Sequence, residues 1–284
     1  MISVMILVRN EELNLPACLE SVSWSDDIHV YDSFSTDRSV EIARSSGAQV
    51  TQRVFDDWST HQNWGLAHLP FRHPWVFYID ADERVSPELR DALLAAAENP
   101  RDAVAFRIER RDIFLGRWLR HVQASAWYLR LFRPERMRYE RLVNPVSIVD
   151  GPVGQVSGPL VHFPFSKGIG QWIDRHNGYS RLEAEQTLIE RAKAPGIDLR
   201  AVFLADDFHV RRAHQKALFY RLPMRPLIKF LALYLVRGGF LDGRAGLTYA
   251  TLAAIYEYFI VLKTRELTEA RTHPVGATAT RVIH

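Results

Sequence analysis

The feature that most constrains this chain is an apolar run that ends in two carboxylates. Residues 76–83 read VFYIDADE, so a segment with the composition of a buried strand ends at Asp80 and Asp82. Open α/β sheets bind ligands at the carboxyl ends of their parallel strands. Carboxylates there can hold Mg²⁺ or Mn²⁺, hard cations that complete their shell with substrate phosphates. Because D-x-D also occurs by chance, a solvated turn after the strand is the alternative.

The segments before this run alternate between strand and helix patterns. Strand-like runs at 2–8, 28–31 and 48–51 are separated by helical segments near 15–22 and 39–46, and another helical segment covers about 61–69. Such alternation predicts a parallel sheet with helices on both faces. Polar, carboxylate-containing clusters follow the first two runs as well. The fold would bring these strand ends to one edge, which favours a cation and phosphate site over a simple turn.

The composition is that of a protein with one substantial hydrophobic core. The chain has 284 residues, of which 47% are hydrophobic, and a formal net charge of +3. Its single cysteine, Cys18, excludes internal disulfides and Cys-based zinc sites, and its helical spacing beside Leu15 and Leu19 predicts a buried thiol. The first strand begins at residue 2 without a charged leader, so we expect no signal peptide. No nucleic-acid-binding motif accompanies the small charge, so we expect no nucleic-acid partner.

Motifs at the ends of the predicted strands carry a resemblance to a known family. They are residues 3–12 (SVMILVRNEE), 32–39 (DSFSTDRS) and 80–85 (DADERV). Together they resemble the nucleotide-sugar motifs of the family-2 inverting glycosyltransferases, and are most similar to the bacterial lipopolysaccharide-core β-glucosyltransferase subgroup. The likeness extends to about residue 265 through FLGRW at 114–118, LRLFR at 129–133, GPLVH at 158–162 and GFLDG at 239–243.

The resemblance implies an α/β protein with the GT-A fold, which is an αβα sandwich with a mostly parallel sheet. We expect the catalytic domain at residues 1–165, with a nucleotide-sugar half at about 1–100 and an acceptor half at about 101–165. A helical, membrane-associating extension would cover residues 166–267. The small, polar residues 268–284 would form a mobile tail.

The resemblance also implies roles for individual side chains. Asp82 would be the direct ligand of Mn²⁺ or Mg²⁺, and Asp80 and His162 are further candidate ligands; a satisfied core histidine is the alternative for His162. Glu11 and Asp32 would contact uracil or ribose. For Arg130 and the neighbouring Arg133, a solvated strand-end pair is the alternative to a phosphate contact. The expected nucleotide-sugar contacts are Val8, Arg9, Asn10, Glu11, Asp32, Ser35, Asp37, Asn63, Asp80, Ala81 and Arg130.

The sequence departs from the family where the catalytic base is expected. An inverting enzyme needs a group that takes the proton from the acceptor hydroxyl during attack. The usual His-Glu pair reads Asn144-Pro145, a related Pro-Asp reads Ser125-Ala126, and the usual Gln-Lys-Asn reads His61-Gln62-Asn63. The nearest carboxylates, Asp112 and Glu140, are therefore the candidate bases, and an ion pair with neighbouring arginines is the alternative for each.

The C-terminal third has a basic, aromatic-rich amphipathic pattern. A helix is predicted at 171–192, and residues 211–237 combine Lys and Arg with Phe, Tyr and Leu and contain no Asp or Glu. This pattern favours docking on an anionic membrane surface. Residues 245–262 carry a single charge, Glu257, and approach the length of a spanning helix. A spanning helix and plain packing against the helix near 230–236 are the alternatives.

The sequence thus predicts an inverting glycosyltransferase that uses a nucleotide-diphosphate sugar, expected to be a UDP-sugar. The acceptor would be a lipid-linked, lipopolysaccharide or exopolysaccharide glycan. We expect a cytoplasmic protein, peripheral at the inner face of the bacterial plasma membrane, and the sequence leaves its oligomeric state open. The alternative, suggested by the missing His-Glu pair, is a catalytically impaired GT-A-like nucleotide-binding protein with an assembly or binding role at the membrane.

Overall fold

A computed structural model describes residues 1–123, 127–193, 214, 218–219, 222 and 224–272. The chain divides into two compact units, Met1–Ile173 with Ala232–Ala250, and the described parts of Asp174–Leu231 and Thr251–His284. The predicted domain boundary near residue 165 stays a prediction. Most of the predicted tail, Ser125-Ala126 and most of the basic stretch at 211–221 lie outside the described residues.

The first unit is built on a mixed β-sheet flanked by helices. Its strands are β1 (Ser3–Val8), β2 (Ile28–Asp32), β3 (Gln49–Gln52), β4 (Val76–Asp80), β5 (Glu83–Val85), β6 (Ala105–Phe114), β7 (Arg117–Trp118), β8 (Trp127–Phe132), β9 (Met137–Glu140), β10 (Val146–Val149) and β11 (Val153–His162). Its helices are α1 (Leu15–Ser21), α2 (Ser39–Ser45), α3 (Trp58–His68) and α4 (Pro87–Glu98), with a 3₁₀ turn at Pro134–Arg136. The predicted alternation of strands and helices up to residue 80 is confirmed.

Nine of the described strands form one large sheet with a parallel half and a mixed half. Their order is β3-β2-β1-β4-β8-β6-β11-β5, with β7 paired to β6. Strands β1 to β4 are parallel to one another. Strand β8 is antiparallel to β4 and β6, whereas β11 is parallel to β6 and antiparallel to β5. Strands β9 and β10 form a separate antiparallel pair.

Helices cover both faces of this sheet because successive strand residues point to opposite sides. On β1, Val4 and Ile6 face one core, and Met5 faces the other. Side chains of α1, α2 and α4 complete the first core. Side chains of α3 and of the β9–β10 pair complete the second. The predicted three-layer αβα arrangement is therefore present.

Local capping explains where the helices begin and end. Asp57 accepts a hydrogen bond from Thr60 N at 2.9 Å, so α3 begins earlier than the sequence pattern predicted. Ser86 caps α4 in the same way, with Pro87 in the first turn. Gly47, shortly after the last residues of α2, has a φ of +79°, which an L side chain adopts at a cost.

A buried carboxylate ties together the amino ends of the first strands. Asp27 is fully buried directly before β2 and accepts from Ser3 Oγ at 2.5 Å and Gln49 Nε2 at 3.1 Å. Arg72 donates its backbone N–H at 2.8 Å and its Nε at 3.0 Å, and His29 Nε2 lies 3.0 Å away. Each carboxylate oxygen is thus bonded more than once, which makes burial of the charge tolerable.

The second unit contains α5 (Gly168–Lys193), whose first turns belong to the first unit, α6 (Arg225–Leu231) and most of α7 (Gly243–Thr272). Glu257, the only charge predicted in its run, forms a buried ion pair with Arg225, which joins α7 to α6. Lys263 Nζ donates to Asn177 Oδ1 at 2.7 Å, which joins α7 to α5. Among the described residues, one helical stretch, Gly239–Ala270, could span a membrane by length and composition, a test that soluble core helices also pass.

The Asp27 network yields a stability prediction. Asp27→Asn should lower the free energy of unfolding by about 3 kcal/mol, because the amide replaces an acceptor with a donor that faces other donors. Urea denaturation at neutral pH measures this. The exposed neighbour Asp26 provides the matched control, and Asp26→Asn should change little. Equal effects of the two substitutions would contradict the network's importance.

The same network has a pH signature. Burial alone would raise the pKa of Asp27, but the hydrogen bonds from Ser3 and Arg72 outweigh it and lower the pKa to about 2. An unfolded aspartate titrates near ~3.9, so the contribution is present above that pH and is lost as the pH falls from about 4 toward 2. The stability of Asp27→Asn should therefore depend less on pH than the wild type in this range.

Candidate functional site

The carboxyl ends of the parallel strands meet at one edge of the sheet, as the sequence predicted. In the strand register, Val8 of β1 lies beside Asp32 of β2, and Leu7 lies beside Asp80 of β4. The loops that follow these strands therefore share one edge. This edge also receives the end of β11, where His162 pairs with Glu83 of β5.

The loops after β1 and β2 satisfy each other's backbone groups. The backbone N–H groups of the first loop donate to side chains of the second, with Asn10 N to Ser35 Oγ at 2.8 Å, Glu11 N to Ser39 Oγ at 2.7 Å and Glu12 N to Asp37 Oδ2 at 3.0 Å. In return, Asn10 Oδ1 accepts from Thr36 N at 2.7 Å. Asn10, Ser35 and Asp37 thus shape the two loops, and their contact with a nucleotide stays a prediction.

Asp32, a predicted contact of the nucleoside, is fully buried at the end of β2. Ser35 donates to it through both its backbone N–H and its hydroxyl, and Gln52 Nε2 donates to Oδ2 at 2.9 Å. The contact between Asp32 and a base stays a prediction.

Glu11, the other predicted nucleoside contact, is held by a lysine that the sequence pattern did not reveal. Lys167 Nζ lies 2.5 Å from Glu11 Oε1 and donates to Asn10 O at 2.9 Å. Asn14 Nδ2 donates to the other Glu11 oxygen at 2.7 Å and to Ser166 Oγ at 2.9 Å. Burial raises the pKa of Glu11, although the bonds from Asn14 and Lys167 oppose the shift. The segment after β11 is thereby tied to the loop after β1.

Asp80 is engaged at both oxygens but keeps an accessible face. Tyr78 OH donates to Oδ1 at 2.5 Å, and Arg130 Nη2 donates to Oδ2 at 2.8 Å. The same nitrogen of Arg130 donates to the fully buried Glu83 at 2.6 Å, and its guanidinium stacks 4.3 Å from the Tyr78 ring. The Asp80 side chain is 29% exposed, whereas Arg130 is buried. Arg130 is thus an internal ion-pair partner rather than a solvated strand-end residue.

Asp82 and His162 lie together at the edge. His162 Nε2 is 3.4 Å from Asp82 Oδ2, and His162 Nδ1 is 2.7 Å from Asp112 Oδ1. Burial alone would lower the pKa of His162, but the carboxylates of Asp82 and Asp112 raise it to about 9. In the described part of the chain, no group of at least three His, Cys, Asp or Glu side chains is arranged to hold a metal alone. Asp82 and His162, two of the predicted metal ligands, lie 3.4 Å apart, and their binding of a metal stays a prediction.

Asp112, a candidate base, is buried among donors. Besides His162, it accepts from Arg110 Nε at 2.9 Å and from Gln123 Nε2 at 2.8 Å. Burial would raise its pKa, but the charge of Arg110 and the hydrogen bond from His162 lower it. This environment stabilises the carboxylate and orients the His162 ring. The predicted ion pair with a neighbouring arginine is present, although it is buried rather than at the surface.

The other predicted residues have varied surroundings. Glu140, the second candidate base, is 57% exposed and bonds only weakly to Arg138 at 3.3 Å. Asn63 exchanges hydrogen bonds with the backbone of Tyr139 at 2.9 and 2.8 Å, which fastens β9 to α3. Arg133 lies with its guanidinium 5.0 Å from the Trp75 ring.

The remaining predicted contacts lie at the ends of β1 and β4. Val8 and Ala81 are buried there. Arg9 is exposed and makes no ion pair with any described residue. Among the residues that sequence reasoning missed, Arg110 could have been found from its spacing of two from Asp112 on a strand, which puts both on one face. Gln123 and Lys167 carried no such signal.

Comparisons with known proteins agree with this architecture. Residues 3–155 match the family described as Glycosyl transferase family 2. The chain is 29% identical over 292 residues to the lipopolysaccharide core biosynthesis glycosyltransferase LpsC of Rhizobium meliloti (strain 1021), covering 96% of this chain and 98% of that protein. It is 24% identical to the uncharacterized glycosyltransferase RT0209 of Rickettsia typhi, covering 94% of this chain and 87% of that protein.

Among solved structures, glucosyl-3-phosphoglycerate synthase from Mycobacterium tuberculosis, in complex with Mn²⁺, UDP and glucosyl-3-phosphoglycerate, is similar at 24% identity and a TM-score of 0.35. The match covers 39% of this chain and 44% of that one, which is too little to bear on the assignment.

The family match and the αβα sheet confirm the predicted GT-A fold, and the family match confirms the predicted class of enzyme, a glycosyltransferase. The alternative of a protein that has lost turnover is not favoured by these relatives. The family match spans more than half of the chain, in the region that carries the strand-end carboxylates. The chain therefore belongs to glycosyl transferase family 2.

Proposed function

We propose that this enzyme transfers a sugar, with inversion, from a UDP-sugar to a lipopolysaccharide-type, lipid-linked or exopolysaccharide acceptor, using Mn²⁺ or Mg²⁺. Family membership supports sugar transfer, and the similarity to LpsC supports an acceptor of the lipopolysaccharide core class. One observation carries the proposal. Asp80 and Asp82 lie at the edge where the loops after β1 and β2 meet, and His162, which is distant in sequence, lies against Asp82 there.

The donor set at this edge fits a divalent cation. His162 Nε2 and Asp82 Oδ2 are 3.4 Å apart, so both side chains would be able to contribute a ligand atom to one divalent cation. The other ring nitrogen of His162 is held by Asp112, as is usual for histidines that bind metals. Asp82 and His162 would hold the ion, and diphosphate oxygens and water would complete its shell.

The protein's own groups would bind and orient the donor beside this ion. A bound divalent cation would stabilise the negative charge that the diphosphate gathers as the glycosidic bond breaks. Asp80 would contact the ribose and diphosphate through its exposed face, while Arg130 holds that carboxylate in place. Asn10, Ser35 and Asp37 would present the loops after β1 and β2 to the nucleoside.

Of the two candidate bases, Glu140 has the more suitable surroundings. A base has to reach the acceptor hydroxyl and must not be fully occupied by donors. Asp112 is buried among donors, whereas Glu140 is exposed and, among the described residues, its carboxylate has one weak partner, Arg138. We therefore retain Glu140 as the candidate base and assign Asp112 to holding His162.

Replacement of the proposed cation ligand tests the site directly. Asp82→Ala should weaken Mn²⁺-dependent binding of UDP by more than about 100-fold, since changes one shell further out already cost 10–100-fold. Isothermal titration calorimetry with and without Mn²⁺ measures it. Asp91→Ala, an exposed carboxylate on α4, is the matched control and should bind as the wild type does. Unchanged affinity in Asp82→Ala would remove Asp82 from the site.

Nucleotide selectivity tests the donor assignment separately. If Asp32 accepts from the base, UDP should bind ~10-fold or more tightly than CDP, because uracil offers an N3–H where cytosine has an acceptor, and an unpaired buried group costs ~1–3 kcal/mol. Competition titrations with UDP, CDP and GDP in the presence of Mn²⁺ measure the difference. Equal binding of UDP and CDP would exclude this role for Asp32, and tighter binding of GDP would indicate another donor class.

We also propose that the C-terminal helices meet an anionic membrane surface, where a lipid-linked acceptor would reside. On α6, Leu227 and Leu231 are 46% and 40% exposed, and α7 exposes Leu247, Ile255, Tyr258 and Leu262 at helical spacing. Each Lys or Arg near such a surface contributes ~1 kcal/mol. Arg225 does not add to this attraction, because its charge is already neutralised by Glu257 in a buried ion pair.

Vesicle binding tests this partner. Leu227→Glu with Leu231→Glu should reduce co-sedimentation with phosphatidylglycerol-containing vesicles, because the exposed apolar face of α6 is lost and negative charge is added. Leu94→Glu on α4, a residue that is 38% exposed, is the matched control and should bind as the wild type does. Binding should also weaken with salt. A wild-type protein that stays in the supernatant at low salt would exclude the membrane partner.

A further inference from the structure

A short segment that precedes α7 is hydrogen-bonded to a loop, and this loop leads to the proposed cation site. The segment is residues 237–242, which includes the GFLD part of the GFLDG motif, and the loop is residues 119–123 after β7. Both belong to the first compact unit. Neither the family match, which ends at residue 155, nor the nucleotide-sugar motifs assign a role to this segment.

Asp242 makes most of the hydrogen bonds between the segment and the loop. Its carboxylate is buried and accepts from His121 N at 2.9 Å and Val122 N at 2.8 Å through one oxygen. The other oxygen lies 2.8 Å from His121 Nδ1. A carboxylate that accepts two backbone N–H groups side by side fixes both the position and the direction of that backbone.

Arg237 makes a further hydrogen bond to the same loop. Its Nη2 donates to Gln123 O at 2.7 Å. The backbone around Gln123 is therefore fixed at the preceding N–H by Asp242 and at its own carbonyl by Arg237. Leu119 and Val122 of the same loop are fully buried. We refer to Arg237 and Asp242 together as the clasp.

The glycines of the segment allow this close approach. A Cβ at Gly239 would lie 2.7 Å from Leu233 O and 3.0 Å from Val122 Cγ2. A Cβ at Gly246 would lie 2.0 Å from Gly239 O. A side chain at Gly239 would push the segment away from Val122 of the loop, and one at Gly246 would collide with the segment itself, so both glycines allow the packing that brings Asp242 to its partners.

A continuous chain of side-chain contacts leads from the clasp to the edge of the sheet. Gln123 Nε2 donates to Asp112 Oδ2 at 2.8 Å. The other Asp112 oxygen is 2.7 Å from His162 Nδ1, and His162 Nε2 is 3.4 Å from Asp82 Oδ2. The orientation of the imidazole thus depends on Asp112, and that of Asp112 depends partly on Gln123.

We propose that the clasp residues Asp242 and Arg237 are positioning residues for the cation site, acting through Gln123 and Asp112 on His162. This inference rests on the proposed function of the site. Partners one shell beyond a metal ligand commonly set its orientation and change metal affinity when they are lost. A purely structural clasp would affect stability without changing the affinity of the folded protein.

Two variants interrupt the chain at different points. Asp242→Asn places an amide donor against the loop's own N–H groups and loosens the clasp. Gln123→Leu leaves the clasp intact and removes only the hydrogen bond to Asp112. Each should weaken Mn²⁺-dependent UDP binding by about 10-fold in calorimetry on the folded protein. The double variant should bind UDP with an affinity only a little below that of the weaker-binding single variant, because both substitutions act through the same contact.

Asp27→Asn is the matched control for lost stability. It also removes a buried carboxylate, but at the opposite edge of the sheet, and its affinity for Mn²⁺ and UDP should equal that of the wild type. If Asp242→Asn does not fold, Gln123→Leu alone decides. The proposal would be overturned if Gln123→Leu bound UDP with the affinity of the wild type. It would also be overturned if the loss of binding free energy in the double variant equalled the sum of the two single losses.

A second readout requires no metal. In NMR spectra of protein with ¹⁵N-labelled histidine, the His162 ring signals should shift in Asp242→Asn and Gln123→Leu but not in Asp27→Asn. Unchanged His162 signals in both clasp-chain variants would overturn the proposal. If the wild type shows no Mn²⁺-dependent nucleotide binding, the proposed cation site fails, and the His162 signals still decide whether the clasp positions this ring.

Discussion

The structure depends on neutralising the acidic side chains that crowd the end of β4. Glu83 is fully buried between Arg130 and Arg110, and His162 lies beside Asp82. Buried carboxylates this close together cannot all stay ionised unless cations lie among them. Asp80 and Asp82 come from β4 and the turn after it and Glu83 from β5, whereas β8, β6 and β11 of the mixed half supply the cations. The order of strands in the sheet is what brings the two sets together.

The sequence predicted the carboxylates well because they belong to local patterns. Strand-length apolar runs that end in polar clusters located Asp32, Asp80 and Asp82 at one edge, and the register of β1, β2 and β4 confirms this convergence. Helix boundaries were less accurate, since the cap at Asp57 lies outside the hydrophobic pattern. The fold class followed from the alternation of elements, which depends on neighbouring residues only.

The partners of those carboxylates could not be predicted, because they come from distant parts of the chain. Nothing near Glu11 in the sequence indicates Lys167, and nothing near Asp112 indicates that His162 will lie against it. The environment also changes the interpretation of single residues. Asn63 matches a motif position, yet its amide fastens the backbone of Tyr139, and only the tertiary structure shows this.

The two edges of the sheet use carboxylates for opposite purposes. At the amino edge, Asp27 is fully buried and saturated with donors, so it contributes stability and has no capacity for a ligand. At the carboxyl edge, Asp80 keeps an exposed face, and Asp82 lies 3.4 Å from the imidazole of His162, which is longer than a strong hydrogen bond. An edge of like charges is costly to fold. A firmly bonded amino edge, together with a C-terminal segment that braces the mixed half through Asp242, offsets that cost and leaves the carboxyl edge available for chemistry.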